Sequence, residues 1–434
     1  MRDSGLKEPL RRPLFRRLLA TYSINEMGDW MGIVALSVLV YEATHSPYAV
    51  AGLFLGTRFL PAFLAPLLVT RIEKPPPRLV LPLIYCAETA AFGVMALLVS
   101  HFSLTAIIIV ATIDGTLALA GRALTRATVV SLLEDSGELR AGNALLNVAF
   151  TAGAAVGPAL AGLVVAWLGL QAALFANAAS FYLVAWILVT AGRIPRAEPE
   201  EGGTADRVRA GIAYVRSNVP LRRVLVAQGI AFVFFSAVNP IEVIYAKESL
   251  GTGDTGYGVL LAAWGVGMLF GSLVFASLKK APLLFLFLIS TLVIGASYLG
   301  LAVAPNLALA CVASVIGGTG NGVQWVSAIS AVQELTESGM QARVMAVLES
   351  IGAAMPGIGF AIGGLIAAIA TPRTTFLVAG LGVIAIVCLV APTLGGRRSG
   401  YPVSAQGFPL DETNDVVLEL LPGGMPNPNS EVKL

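Results

Sequence analysis

The chain is written as long apolar runs separated by short polar connections. Crossing about 30 Å of hydrocarbon takes roughly 20 mainly apolar residues in a helix. Twelve runs meet that requirement. The first six are 17–42, 47–69, 79–100, 104–132, 141–168 and 171–192, and the second six are 219–247, 255–278, 282–304, 306–333, 341–369 and 373–394. Lipid offers backbone N–H and C=O groups no partners, so each run is expected to be a helix. The runs are too long for the roughly 10-residue alternating strands of a membrane β-barrel.

The connections set an orientation. One side receives the basic N-terminal residues, Arg71, Lys74, Arg78, Arg140, the arginines between Arg193 and Arg223, Lys279, Lys280, Arg343, Arg397 and Arg398. The other side receives only Lys247 and Arg373. Lys and Arg accumulate on the cytoplasmic face. Both termini are therefore expected in the cytoplasm of a multi-pass cell-membrane protein. The expected organisation is a basic N-terminus (1–16), a six-helix bundle (17–192), a linker (193–218), a second six-helix bundle (219–394) and a disordered tail (395–434). The linker opens with the polar "RAEPEEGGTADR". It continues with Val208, Ile212 and Val215 on one helical face among arginines, the pattern of a helix lying on a membrane surface.

Composition agrees with this class. The 434 residues are 56% hydrophobic and 12% charged, where a soluble domain carries about 25% charge. A net charge of +2 gives no reason to expect a nucleic-acid partner. Cys86, Cys311 and Cys388 stand far apart in apolar runs and the two histidines fall in connections, so neither a disulfide framework nor a metal site is expected. The first apolar run is too long for a signal peptide and lacks a small-residue cleavage site. No HExxH, GxSxG or P-loop motif occurs, so the chain reads as neither an enzyme nor an ATP-driven pump, and no cofactor is expected.

An internal repeat divides the chain. Shifted by 202, residues 132–166 fall on 334–368, with Leu133/Leu335, Ser136/Ser338, Gly137/Gly339, Gly157/Gly359, Gly162/Gly364 and Leu163/Leu365 among the identities. A second echo sets Tyr48, Val50 and Gly56 on Tyr257, Val259 and Gly265. The fifth span thus maps on the eleventh and the second on the eighth. Two halves of the same orientation, with a site between them near the midplane, are a transporter architecture.

Particular stretches carry a family likeness. The fifth span reads "GAAVGPALAG", with Gly153, Gly157, Pro158 and Gly162. Small residues four apart let helices approach closely, and the proline bends the span. With "FRRLLATYSINEMGDWMGIVALSVLVYEATHSPYAVAG", "TRATVVSLLEDSGELRAGNAL" and "AVQELTESGMQARVMAV", residues 13–394 resemble the major facilitator superfamily. Within it they resemble the branch of proton-driven exporters that includes macrolide-efflux and enterobactin-export proteins. The resemblance implies an all-α membrane fold of twelve transmembrane helices in two pseudo-symmetric six-helix bundles. It also implies a monomeric secondary transporter whose partners are the bilayer, protons and a small molecule. The expected activity is proton-coupled efflux of an amphiphilic drug, macrolide or siderophore-like compound by alternating access. A lipid or lysophospholipid transporter of the same fold and a non-transporting membrane sensor are the alternatives. The loop "PLLVTRIEKPPPR" departs from the superfamily: Arg71 matches, but Thr70 stands where Asp is usual, with Glu73 the candidate replacement. "SLKKAP" in the second half is likewise reduced.

Charges inside the spans are the candidate machinery, because one at mid-bilayer costs about 2.5–3.5 kcal/mol on the insertion scale. Glu26 and Asp29 lie three apart on one face of the first span. Asp29 is roughly 18 Å deep counted from Arg17, and Arg58 roughly 16 Å deep counted from Pro47, so an Asp29–Arg58 pair is expected. Glu26 has no base on its own span and is the candidate proton site. Glu88, Asp114, Arg122 and Glu242 complete the expected proton and substrate pathway. Glu242 follows the break at Asn239-Pro240. Trp30, Phe234, Phe235, Asn239, Trp264, Asn321, Gln324 and Trp325 are the candidate substrate contacts. Arg71, Arg126 and Glu349 join Gly153, Gly157, Pro158 and Gly162 as expected packing or gating residues.

Overall fold

Prolines or capping side chains start several of the helices, and left-handed residues stop two of them. In the computed structural model, which describes residues 7–72, 75–133, 136–192, 194–195, 204–278 and 281–395, α1 (Pro13–Thr44) begins on a proline. It ends at His45, which turns the chain at φ 49°. Ser46 then caps α2 (Pro47–Ile72), its Oγ accepting from the Ala49 amide. α3 (Pro77–Leu98), α4 (Leu104–Leu133) and α5 (Leu139–Leu168) follow. Gly169, at φ 86°, leads directly into α6 (Leu170–Val189). A shorter helix, α7 (Thr204–Ser217), precedes α8 (Val219–Ser249), capped by Asn218. α9 (Asp254–Ser277), α10 (Leu283–Val303), α11 (Leu307–Glu334, capped by Asn306), α12 (Gln341–Ile369) and α13 (Pro372–Gly395) complete the chain. The expectations placed on Glu73, and on all of the tail beyond Gly395, lie outside the described residues.

Each expected span coincides with one helix; the largest difference is at the start of α1, Pro13 instead of 17. Among the described residues eleven helices, α2–α6 and α8–α13, are long and apolar enough to cross a membrane. The 32-residue α1 is also of spanning length, but its acids pull its hydropathy below that of the others. Large apolar side chains on the outer faces, such as Leu83, Trp167 and Leu389, are exposed where acyl chains would cover them. The amphipathic α7 is not solely a surface helix. Gly211 packs against the start of α12, where an added Cβ would meet Arg343 O and Val347.

Two seams join the six-helix halves, α5 against α9 and α2 against α12. The repeat sets α5 on α12 and α2 on α9, so one seam is the pseudo-two-fold image of the other. Proline chemistry makes the first seam close. Pro158 has no N–H to give Ala154, four residues back. A Cβ on Gly265 of α9 would sit 2.5 Å from that Ala154 oxygen, and one on Gly258 would sit 2.4 Å from Pro158 O. Gly162 completes the contact, 2.9 Å from Asp254 O by the same measure. Backbone cannot retreat as a side chain can. Gly265→Leu is therefore expected to cost upwards of about 3 kcal/mol, the high end for overpacking. The check is a lowered unfolding temperature in detergent, against Gly93→Ala, where an added Cβ meets nothing within 4 Å.

Candidate functional site

The acids of α1 meet their base on α4. Gly153 and Gly157 of α5 seat α1 so closely that an added Cβ would touch the Glu26 Cβ at 3.0 Å and Met27 O at 2.7 Å. This turns the Glu26/Asp29 face toward Arg122. Arg122 Nη2 donates to Asp29 Oδ2 at 2.8 Å, and Arg122 Nε lies 3.0 Å from Glu26 Oε1. The second contact is an ion pair without hydrogen-bond alignment. Asn25 Nδ2 donates to the same Asp29 oxygen at 3.3 Å. One turn toward the linker, Arg126 Nη2 donates to Tyr22 OH at 2.9 Å and stacks over its ring.

The expected Asp29–Arg58 pair does not form. Depth along each helix matched, but depth does not fix azimuth, and Arg122 occupies the acids. Among the described residues no carboxylate comes within ion-pair distance of Arg58, which lies over the Trp30 ring at 5.8 Å. Arg58 sits in a π-turn, Leu55–Phe59, ahead of Pro61. Pro61 leaves the Thr57 carbonyl without its helical donor. Gly115 of α4 approaches that oxygen so closely that a Cβ would lie 2.5 Å away, which brings the neighbouring Asp114 into the cluster. Glu88 of α3 is fully buried, and neither of its carboxylate oxygens has a hydrogen-bond partner. Asp114, Asp29 and Arg122 are the charged groups around it.

Between the halves lies a cavity of about 1990 Å³. Of the residues singled out in the sequence, Trp30, Arg58, Phe235, Asn239, Glu242, Trp264, Asn321 and Glu349 line it. Phe234, Gln324 and Trp325 do not. Phe234 packs on Gly382 of α13. Gln324 is buried and donates from Nε2 to Gln228 Oε1 at 2.6 Å. Trp325 is partly exposed and lies beside Phe232, itself on the cavity wall. Their placement is a matter of helical phase, and an apolar span gives no polar face from which to read which side is inward. Tyr257 and Tyr298 line the cavity and were not foreseen, since tyrosines in apolar helices carry no distinguishing pattern.

The cavity reaches Thr70, Pro77, Ser131 and Ala346, at helix ends on the side of the linker. Arg71 ends α2 there, exposed. The opposite end is closed by a cluster of charges from three helix ends. Lys247 Nζ reaches both Glu42 Oε1 and Asp254 Oδ1, each at 2.6 Å, and Tyr41 OH donates to Glu248. Lys247 follows the break at Pro240 and lies in a second π-turn, Tyr245–Ser249. The Glu42–Lys247 and Tyr41–Glu248 contacts tie α1 to α8 across the halves. At the same end the α2–α12 seam tightens, where a Cβ on Gly364 would lie 2.6 Å from Ala51 Cβ.

This helical fold has known counterparts. The chain is similar to the nucleoside transporter NupG at 12% identity and TM-score 0.68, covering 89% of this chain and all of that one. It is similar to a bacterial homologue of the human lysosomal transporter Spinster, inward-facing and occupied, at 12% identity and TM-score 0.66, covering 91% and 100%. A bacterial homologue of the iron transporter ferroportin, inward-facing, aligns at 15% identity and TM-score 0.67, covering 88% and 99%. At such identities the likeness is one of fold. No curated protein matches the chain. Residues 4–391 match the family described as transmembrane secretion effector. With this fold and that match over nearly its whole helical length, the chain belongs to the transmembrane secretion effector family of major facilitator superfamily transporters.

Proposed function

We propose that the protein is a proton-coupled exporter of an amphiphilic small molecule, with the linker side facing the cytoplasm. The observation that carries this reading is the cavity of about 1990 Å³, open toward the linker and closed at the other end by Lys247, Glu42 and Asp254. Drug-sized ligand pockets span roughly 300–1,000 Å³, so the space admits such a molecule with accompanying water. The excess of Lys and Arg on the linker side supports the orientation. Export then requires the far-side contacts of Lys247 to break as the linker side closes, the two seams acting as hinges.

Coupling to protons is supported by the buried charges of the first half. Arg122 occupies Glu26 and Asp29, so the proton carriers are Glu88 and Asp114 rather than Glu26. A buried carboxyl without a cation partner is stable in its neutral form, and ionises when water or a cation reaches it. The test is purified protein in liposomes with an imposed pH gradient and a trapped pH-sensitive dye. The expected result is cargo movement accompanied by opposite proton flow, with accumulation at least tenfold above gradient-free vesicles. Cargo movement indifferent to the gradient would remove proton coupling. Absence of movement across a chemically broad panel would remove the transport reading.

A further inference from the structure

Among the described residues two acids of the second half line the cavity, Glu349 near the linker side and Glu242 at the Pro240 break, and the residues around Glu242 are mainly aromatic. The Pro240 break, a 3-10 turn at Asn239–Ile241, delivers it to the cavity. Phe235 lies on one side of that break. Trp264 of α9 and Tyr298 of α10 stack at 5.7 Å and 18°, with Tyr298 edge-on to Phe235 at 6.5 Å. Tyr257 and Tyr298 are both within electrostatic reach of the Glu242 carboxyl. Among the described residues no Lys or Arg pairs with Glu242. Arg58, the one Lys or Arg among the described residues that line the cavity, has its charged neighbours in its own half: Arg122, Asp29, Glu26 and Asp114.

A carboxyl that shares the cavity wall with a cluster of aromatic side chains and has no cation paired to it among the described residues is complementary to a ligand cation. The ring faces attract positive charge through their quadrupoles, the carboxylate fixes its position, and the rings cover the apolar substituents around it. We propose that Glu242, Tyr257, Trp264, Tyr298 and Phe235 form a subsite for the ammonium-type end of an amphiphilic organic cation. Arg58, beside Trp30 on the facing wall, repels that end, so the cation is held on the wall of the second half with its apolar body across the cavity. The subsite names the substrate class of the exporter proposed above and rests on that reading for its role in transport; the binding itself needs no gradient.

The experiment uses two ions of nearly the same shape and opposite charge, tetraphenylphosphonium and tetraphenylborate. Binding to the purified full-length protein in detergent is followed by quenching of tryptophan fluorescence, with Trp264 inside the subsite. The unmodified protein is expected to bind the phosphonium at least tenfold more tightly than the borate. Glu242→Gln, which keeps shape and hydrogen-bonding capacity but removes the charge, is expected to erase that preference, and Glu242→Asp to retain part of it. A borate bound as tightly as the phosphonium by the unmodified protein would overturn the proposal with no variant involved. So would a folded Glu242→Gln protein that keeps full preference. Liposomes that fail to transport while the phosphonium preference holds would sink the exporter reading and leave the subsite standing.

Discussion

Arg122→Met is expected to abolish transport and to destabilise the protein by about 3–5 kcal/mol, the usual cost of removing one partner from a buried ion pair. Glu26 is 1% exposed, and Arg122 is the only cation contacting either it or Asp29 among the described residues. Methionine fills the volume of the arginine stem, so the loss would measure charge rather than packing. Arg122→Lys should fall between: an ammonium is a point charge and cannot span Glu26 and Asp29 as the guanidinium fork does. The decisive variant is the triple Arg122→Met, Glu26→Gln, Asp29→Asn. Removing all three charges should restore most of the unfolding temperature, because neutral groups of similar shape avoid the desolvation penalty. Transport should stay absent. An Arg122→Met protein that unfolds at the temperature of the unmodified one would show that the triad contributes nothing to the fold.

The same triad shows what a sequence yields and what it withholds. Apolar run length placed each long helix, eleven of which are apolar enough among the described residues to cross a membrane, because the thickness of the hydrocarbon admits few solutions. The repeat indicated which helices are equivalent, and the observed seams α5–α9 and α2–α12 are related by that equivalence. Which side chains face each other depends on the rotation of each helix, and in an apolar span the sequence carries little information about rotation. Depth arithmetic paired Asp29 with Arg58. Counted from the end of α4 at Leu133, Arg122 lies eleven residues in, as deep as Arg58 counted from Pro47, so depth alone could not choose between them. The choice is made by Gly153 and Gly157, which fix the rotation of α1 on α5. Those glycines were legible as packing residues, but their partner was not. The far-side contacts of Lys247 were harder still to see: Glu42, Lys247 and Asp254 sit at helix ends, where charges are ordinary, and only tertiary packing brings them together.

Glu88→Gln is expected to leave the protein folded and to reduce pH-gradient-driven accumulation at least tenfold, while cargo still moves down its own gradient. The argument is one of charge balance. Glu26, Asp29, Glu88 and Asp114 bring four carboxyls into the first half, against the guanidinium groups of Arg58 and Arg122. A cluster in low dielectric favours neutrality, because an uncompensated buried ion costs several kcal/mol. Two positive charges balance two of the carboxylates, so neutrality calls for protons on the other two. Arg122 already holds Glu26 and Asp29 at contact distance, which leaves Glu88 and Asp114 to carry them. Both oxygens of Glu88 and one of Asp114 lack hydrogen-bond partners, so neither group is tied to a structural role. Glutamine is close in shape to a protonated glutamic acid and cannot ionise, so the variant would be fixed in the loaded form. Asp114→Asn should behave alike, and the double variant no worse than the stronger single one if the two act in one relay. Stability is the readout that separates this from damage to the fold: the neutral variants should unfold at or above the temperature of the unmodified protein. A Glu88→Gln, Asp114→Asn protein that still concentrates cargo against its gradient at the unmodified level would place the proton elsewhere, with the Glu26–Asp29–Arg122 triad the next candidate.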